Sequence, residues 1–554
     1  MTYSFAHLHR FPGGLQLESH KDLSTRHPIA RLPLPKRLIL PLSQHIGIAA
    51  VPLVKPGEQV YKGQMIAAAE GYISAPLHAS SSGTVVDICD HPVPHPSGLS
   101  APCITLDTDG KDQWLPSLAA VDNALHKDPA ELRNLIRNAG IVGLGGAGFP
   151  AAVKLNTGLE HRIDLLVLNG AECEPYISCD DLLMRERALE VIAGLRILRH
   201  VLNAAQCVIG VEDNKPEAME ALRAALAQGP QEGIEVVAVP TRYPAGGEKQ
   251  LIQVLTGLEV PSQGLPADLG ILCHNVGTAA AVYQAITRGR PLVSRIVTIS
   301  GDGVAEPRNL EVPIGTPIAE LIEFCGGYTP HVHRLLMGGP MMGIALPSDR
   351  LPVIKTTNCI LATTATTLPP PAPQLPCIRC GECAMACPAN LLPQQLYWHA
   401  HARDLDAVQE YDLFDCIECG CCAQVCPSHI PLVQYYRYAK TEIWDQERER
   451  EKADIARQRH EFRLERLERE KHEKAERHKQ KRQALETTPG SDDPKKAAIA
   501  AALERAKARQ AEGTSAARNT DNLTPEQQRQ IEEAEQRRAA ARQAGTDNDR
   551  GERS

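Results

Sequence analysis

The sequence predicts a multidomain α/β chain. A β barrel-sandwich comes first, then an α/β core on a mostly parallel sheet, a small β-rich module, a cysteine-rich segment and a charged tail, helical or disordered. Three observations predict this. The chain has 554 residues, more than one hydrophobic core serves, so several units are expected. Its apolar pattern changes character along the chain, from short runs between Pro and Gly turns to alternating helix-like and strand-like stretches. And nine of its 17 cysteines crowd between Cys377 and Cys426.

Composition narrows the function classes. A formal net charge of −8 gives no reason to expect nucleic acid as a partner. An odd, clustered cysteine count argues against a disulfide framework and for metal ligation in a reducing compartment. Residues 1–14 have no apolar run and no small-residue cleavage site, so they do not read as a signal peptide. No run of about 18 apolar residues occurs, so no transmembrane span is expected. A cytoplasmic chain that docks on a membrane partner fits these features.

Residues 1–30 form an N-terminal arm. Residues 31–112 alternate apolar runs (38–42, 57–60, 65–68, 83–88) with turns, as a small β-sandwich or barrel does. The run V-K-P-G-E-Q-V-Y-K-G-Q-M-I resembles a biotinyl/lipoyl-type barrel. The stretch Glu70-Gly71-Tyr72-Ile73-Ser74-Ala75-Pro76 lacks the lysine a swinging arm needs, so a structural or docking role is expected. Residues 125–290 alternate helix-like stretches (131–138, 185–202, 216–227) with strand-like runs (164–168, 206–211, 235–239, 270–273), which implies a parallel sheet. Residues 291–365 return to short strands. Residues 366–440 open with a Thr/Pro/Ala linker and carry the cysteines. Residues 441–554 are rich in Glu, Arg, Lys, Ala and Gln and cannot bury a core. Charged helices with breaks at 487–494 and 513–524 are expected, with a degenerate repeat at 493–511 and 532–544.

The cysteine segment carries the most specific pattern. Cys377-x-x-Cys380-x-x-Cys383-x-x-x-Cys387-Pro388 recurs as Cys416-x-x-Cys419-x-x-Cys422-x-x-x-Cys426-Pro427. Three thiolates at three-residue spacing wrap one face of a cubane, and the fourth reaches the other cluster. Two [4Fe–4S] clusters follow, one on Cys377, Cys380, Cys383 and Cys426, the other on Cys387, Cys416, Cys419 and Cys422. Zinc usually takes its ligands as two separated pairs, which this doubled run does not offer. Cys421 is off-pattern. The long spacer 389–415 suggests a helical two-cluster ferredoxin module. The remaining cysteines, Cys89 and Cys103 among them, read as buried small hydrophobes. His91 and His95 read as surface residues.

Gly143-Leu144-Gly145-Gly146-Ala147-Gly148-Phe149-Pro150 contains G-x-G-x-x-G, whose amides can approach a phosphate at a helix start. A ligand-free glycine turn remains the alternative. Three further polar loops follow apparent strands, where α/β folds bind ligands. They are Asn169-Gly170-Ala171-Glu172-Cys173-Glu174-Pro175, Tyr243-Pro244-Ala245-Gly246-Gly247-Glu248-Lys249 and His274-Asn275-Val276-Gly277-Thr278. Together they suggest a composite flavin or nicotinamide site.

These four motifs resemble those of the FMN- and NADH-binding flavoprotein subunit of respiratory complex I. The match is closer still to the RnfC component of Rnf-type (Rsx) electron transport complexes. It covers about residues 1–440. The resemblance implies a Rossmann-like flavoprotein core flanked by the barrel, a β-grasp module at 291–365 and the ferredoxin domain. It implies that Gly143, Gly145, Gly146 and Gly148 hold FMN, that Phe149 packs near the nicotinamide, and that Lys154 faces a phosphate or ribose. Asn169, Glu172, Glu174, Gly246, Glu248 and Asn275 would line the flavin and NADH pocket, with Glu174 and Lys154 as the catalytic pair. Ala171, Gly247 and His274 depart from the complex I pattern, which has two acidic residues and an asparagine there. The implied protein feeds electrons into a membrane-bound complex that couples an NADH/ferredoxin couple to ion movement. Its partners are integral-membrane and flavin-bearing subunits, and it sits peripherally on the cytoplasmic face of the bacterial inner membrane. The competing expectation is a scaffold and electron wire with a vestigial flavin site.

Overall fold

The computed structural model describes residues 3–156, 162–229, 233–486, 494–511 and 529. The chain divides into two compact units, Met1–Arg450 and Glu451–Ser554.

Within the first unit, the barrel is built from two antiparallel sheets. One orders its strands Arg37–Pro41, Ser100–Thr108, Gly83–Pro92 and Gln59–Val60; the other orders Val51–Pro52, Met65–Ala68 and Leu77–His78. Leu38, Leu40, Val60, Ile66, Val85 and Ile104 alternate inward and fill the space between them. Residue 31 does not open the barrel. Ala30–Arg31 pairs in parallel with Leu310 and Glu311, so the arm ends as an edge strand of a later sheet.

The core sheet is parallel throughout, in the order Ile234–Val239, Gln206–Glu212, Leu165–Gly170, Ile271–Asn275. Leu165 to Leu168 are fully buried, as a parallel strand covered on both faces must be. The helices Ala188–Leu202 and Val276–Arg288 cross closely at Gly194, where an added Cβ would stand 1.9 Å from Ala279 O. The helix expected at 185–202 is two helices, Cys179–Glu186 and Ala188–Leu202, because Arg187 leaves helical backbone between them.

A six-stranded mixed sheet follows, with the helix Ile318–Phe324 packed on it. The cysteine segment is helical, with Pro393–Ala402 and Leu405–Glu410 in the spacer. The tail does not begin at residue 441. One helix runs Leu432–Glu486, and its first three turns bury Leu432, Val433, Tyr436, Ala439 and Ile443. The charged sequence belongs to the same helix as that apolar stripe. The first repeat copy lies mostly in the helix Pro494–Ala511; the second, and the expected break at 513–524, lie outside the described residues, as do 487–493 of the other break. No helix among the described residues is long and apolar enough to cross a membrane.

Candidate functional site

The glycine loop closes on itself. Gly143 N donates to Phe149 O at 2.8 Å and Gly148 N donates to Gly143 O at 3.2 Å. Gly146, at φ +114°, has open space where a Cβ would be. Gly145, Gly146 and Ala147 are exposed residues, and their amides donate to no backbone acceptor among the described residues. The loop lies over the start of the helix Val276–Arg288, where Leu144 N donates to Thr278 Oγ1 at 3.0 Å. Asn275 caps that helix, its Oδ1 accepting from Gly277 N at 2.8 Å, while its Nδ2 donates to Asp180 Oδ2 at 2.6 Å. Free amides beside a helix start suit a phosphate.

Around the loop stand the ends of two neighbouring strands. Asn169 and Asn275 are register partners on the ladder between Leu165–Gly170 and the edge strand Ile271–Asn275. Asn169 Nδ2 donates to Gly246 O at 2.8 Å, tying two of the four motifs together. Lys154 Nζ meets Glu248 Oε1 at 2.8 Å, both half-buried. His274 is buried with Nε2 unpartnered among the described residues. Burial, with Lys154 nearby, lowers its pKa to about 3 and keeps it neutral.

The two glutamates behave differently from the expectation. Glu172 sits at φ +51°, and its carboxylate turns inward to accept from Asp180 N at 2.7 Å and Asp181 N at 3.3 Å, at the start of the helix Cys179–Glu186. Glu174 Oε1 accepts from Met341 N at 2.7 Å and Met342 N at 3.1 Å, in the turn between Val332–Met337 and Ile344–Ala345. Both carboxyls serve backbone amides as anchors of the loop, and Glu174 points to the mixed sheet. Burial raises the pKa of both, and the Lys21 ammonium opposes that rise. Lys21 escaped sequence reasoning. Its Nζ stands 4.0 Å from Glu172 Oε2 and donates to the carbonyls of Glu172 (2.8 Å), Glu174 (2.9 Å) and Ile177. A lone lysine some 150 residues away carries no motif that could have marked it.

The eight patterned cysteines gather around two small cavities. Cys377, Cys380, Cys383 and Cys426 line one with Ile378, Tyr397 and Leu432. Cys387, Cys416, Cys419 and Cys422 line the other with Leu391, Val433 and Tyr436. The fourth cysteine of each run thus stands with the first three of the other. Backbone geometry repeats too. Arg379 and Gly381 in one loop, Glu418 and Gly420 in the other, all take positive φ, between 57° and 85°. Such turns aim successive amides inward, toward a bound anionic group. Four thiols and inward amides fit an iron–sulfur cubane. Cys421 is buried and lines neither cavity. Of the scattered cysteines, Cys103, Cys179, Cys207, Cys273, Cys325 and Cys359 are buried, Cys173 is half-buried and Cys89 is exposed.

The strand-end motifs and the cysteine segment are tied together directly. Tyr243 donates its hydroxyl to Cys419 O at 2.6 Å and also reaches the Glu174 carboxylate. The helix Glu248–Thr256 begins at the cleft with Glu248. Its next residue, Lys249, pairs with Asp415 at 3.1 Å, and Gln250 Nε2 donates to Pro388 O at 3.3 Å. The arm adds Gly14 N to Ala386 O at 3.0 Å.

Residues 9–111 match the RnfC barrel sandwich hybrid domain, 136–284 the Nuo51 FMN-binding domain, 296–345 the SLBB domain and 376–430 the 4Fe-4S dicluster domain. Curated relatives named as the C component of the ion-translocating oxidoreductase complex match along most of the chain. The protein from Pseudomonas aeruginosa is 51% identical over 460 residues, 83% of this chain and 59% of that one. That from Vibrio cholerae is 45% identical over 507 residues, 91% of this chain and 64% of the relative. That from Rhodobacter capsulatus is 45% identical over 404 residues, 72% and 77% of the two chains. The chain thus spans about three-fifths of the length of the first two relatives.

Proposed function

Because the chain belongs to the RnfC family, the C components of ion-translocating oxidoreductase complexes, we propose that it is the peripheral electron-input subunit of such a complex, of the NADH:ferredoxin type. It docks on integral-membrane and flavin-bearing subunits at the cytoplasmic face of the inner membrane. When bound, FMN exchanges the hydride of NADH for single electrons, which [4Fe–4S] clusters carry one at a time. The amides of Gly145, Gly146 and Ala147 and the start of the helix Val276–Arg288 would receive the FMN phosphate. Phe149, Asn169, Gly246 and Asn275 would line the flavin and nicotinamide side of the same site. Lys154, paired with Glu248, offers a cation to a phosphate or ribose of NADH. Glu172 and Glu174 position the loop. Cys377, Cys380, Cys383 and Cys426 hold one cluster, and Cys387, Cys416, Cys419 and Cys422 the other.

One observation carries this reading. The cleft and the Cys387/Cys416/Cys419/Cys422 cavity are joined through Tyr243 and the helix Glu248–Thr256. Two unrelated sites would not need that joint. The inward turn of Glu172 and Glu174 favours the second reading, a wire and scaffold whose flavin site is vestigial. An anaerobic visible spectrum of the iron-reconstituted, FMN-supplemented chain separates the two. Adding NADH should bleach flavin and cluster bands together. If dithionite reduces the clusters and NADH changes nothing, the electron-input role fails and the scaffold reading replaces it.

A further inference from the structure

The barrel holds a group of side chains that the redox machinery does not use. Asp87, Cys89 and His91 occupy alternate positions on the strand Gly83–Pro92, so their side chains share one face. They lie beyond Thr84, the last residue that pairs with the short strand Gln59–Val60, and here the strand has only Ser100–Thr108 as a ladder partner. One ligand atom from each residue lies within 4.8 Å of the others. His91 Nε2 is the hub, 3.4 Å from Cys89 Sγ and 3.8 Å from Asp87 Oδ1. Asp87 Oδ1 is shielded from solvent and accepts no hydrogen bond among the described residues, although its residue is partly exposed.

The two spacings to His91 Nε2 lie within about 0.4 Å of the edges of a coordination tetrahedron. With Zn–S near 2.3 Å and Zn–N and Zn–O near 2.0–2.1 Å, the S···N edge is about 3.6 Å and the N···O edge about 3.4 Å. The donor set also balances charge. A thiolate and a carboxylate together neutralise a divalent cation, and a neutral imidazole completes the three protein ligands. The mixture of sulfur, nitrogen and oxygen is one that zinc accepts. We infer that Asp87, Cys89 and His91 form a zinc site on the barrel, separate from the two cysteine cavities, with water at the fourth corner. Thr105 Oγ1, 3.0 Å from His91 Nε2 on the neighbouring strand, is the adjacent polar group.

The test uses the full chain with its clusters reconstituted anaerobically. It is incubated with zinc, desalted, and assayed for zinc, iron and acid-labile sulfide. Wild type should retain one zinc per chain. Cys89→Ala and His91→Ala should each lose it, with iron and sulfide unchanged. Those two quantities also report that the variants fold, and Cys89 is exposed, so its truncation leaves no cavity. Zinc-edge X-ray absorption of the wild type should show a single sulfur neighbour. Equal zinc in wild type and both variants would place the metal in the cluster cysteines and overturn the inference. So would zinc-free wild type, including the case in which Cys89 is oxidised onto Cys103, its register partner.

Discussion

The two cysteine runs are nearly the same in sequence and backbone, yet they sit in different surroundings. Each has a three-residue spacing, a trailing proline and two positive-φ residues. Between the first two cysteines one run has Arg379, stacked over Trp398; the other has Glu418, bridged by Arg437 and Lys440. Cys380 is exposed, whereas Cys387, Cys419 and Cys422 are buried. Among the described residues, only the second set is tied to the flavoprotein core by Tyr243, Lys249 and Gln250. Ligand spacing thus says what a loop can hold, and the residues packed around it say what that group faces. Burial and hydrogen bonding tune cluster potential, so clusters held by these two equal motifs would be unequal.

The largest expected effect breaks this pair directly. With NADH as reductant and FMN supplied, Cys419→Ser should leave both clusters oxidised in low-temperature EPR. Cys380→Ser should leave the Cys387/Cys416/Cys419/Cys422 cluster reducible. The opposite pattern would place electron entry at the Cys377/Cys380/Cys383/Cys426 set.

Lys21→Met tests whether the buried set depends on the loop beside it. The substitution removes three hydrogen bonds to loop carbonyls and leaves Glu172, 3% exposed, without its cation. Each buried carbonyl left without its donor costs about 1–3 kcal/mol. Flavin titration should show weakened FMN binding and thermal unfolding a lower midpoint, with iron content at the wild-type value. Unchanged flavin affinity would show that the loop holds its shape without the arm.

Legibility followed how local the signal was. The parallel strands were readable because each is a short apolar run, and Leu165 to Leu168 are apolar for the reason that both their faces are covered. The cysteine sets were readable because cluster ligands repeat at fixed spacing. The asparagines and glycines at strand ends were readable as a group, since successive strand ends converge on one edge of a parallel sheet. What Glu172 and Glu174 do was not. Their partners, Lys21 and the amides of Asp180, Asp181, Met341 and Met342, come from three other regions, and backbone amides carry no residue signature. The break at Arg187 and the helix running through residue 440 were hidden similarly, because helix-forming residues continue across both positions.

The smallest effect sharpens the comparison most. Tyr243→Phe keeps the ring in its buried place and deletes one hydroxyl, which donates to Cys419 O, reaches the Glu174 carboxylate and, among the described residues, makes no hydrogen bond to the Cys377/Cys380/Cys383/Cys426 set. The lost bond is worth about 1 kcal/mol, at most about 40 mV for a one-electron couple if it acts wholly on one oxidation state. The sign follows from the dipole. The O–H points its positive end toward the buried set, which favours the more negative, reduced cluster, so its removal should lower that cluster's potential. An EPR-monitored redox titration of wild type and variant should show one midpoint shifted downward and the other fixed. If both midpoints move together, the two clusters respond as one unit and Tyr243 does not distinguish them. If neither moves, the hydroxyl holds the joint mechanically without tuning the cluster.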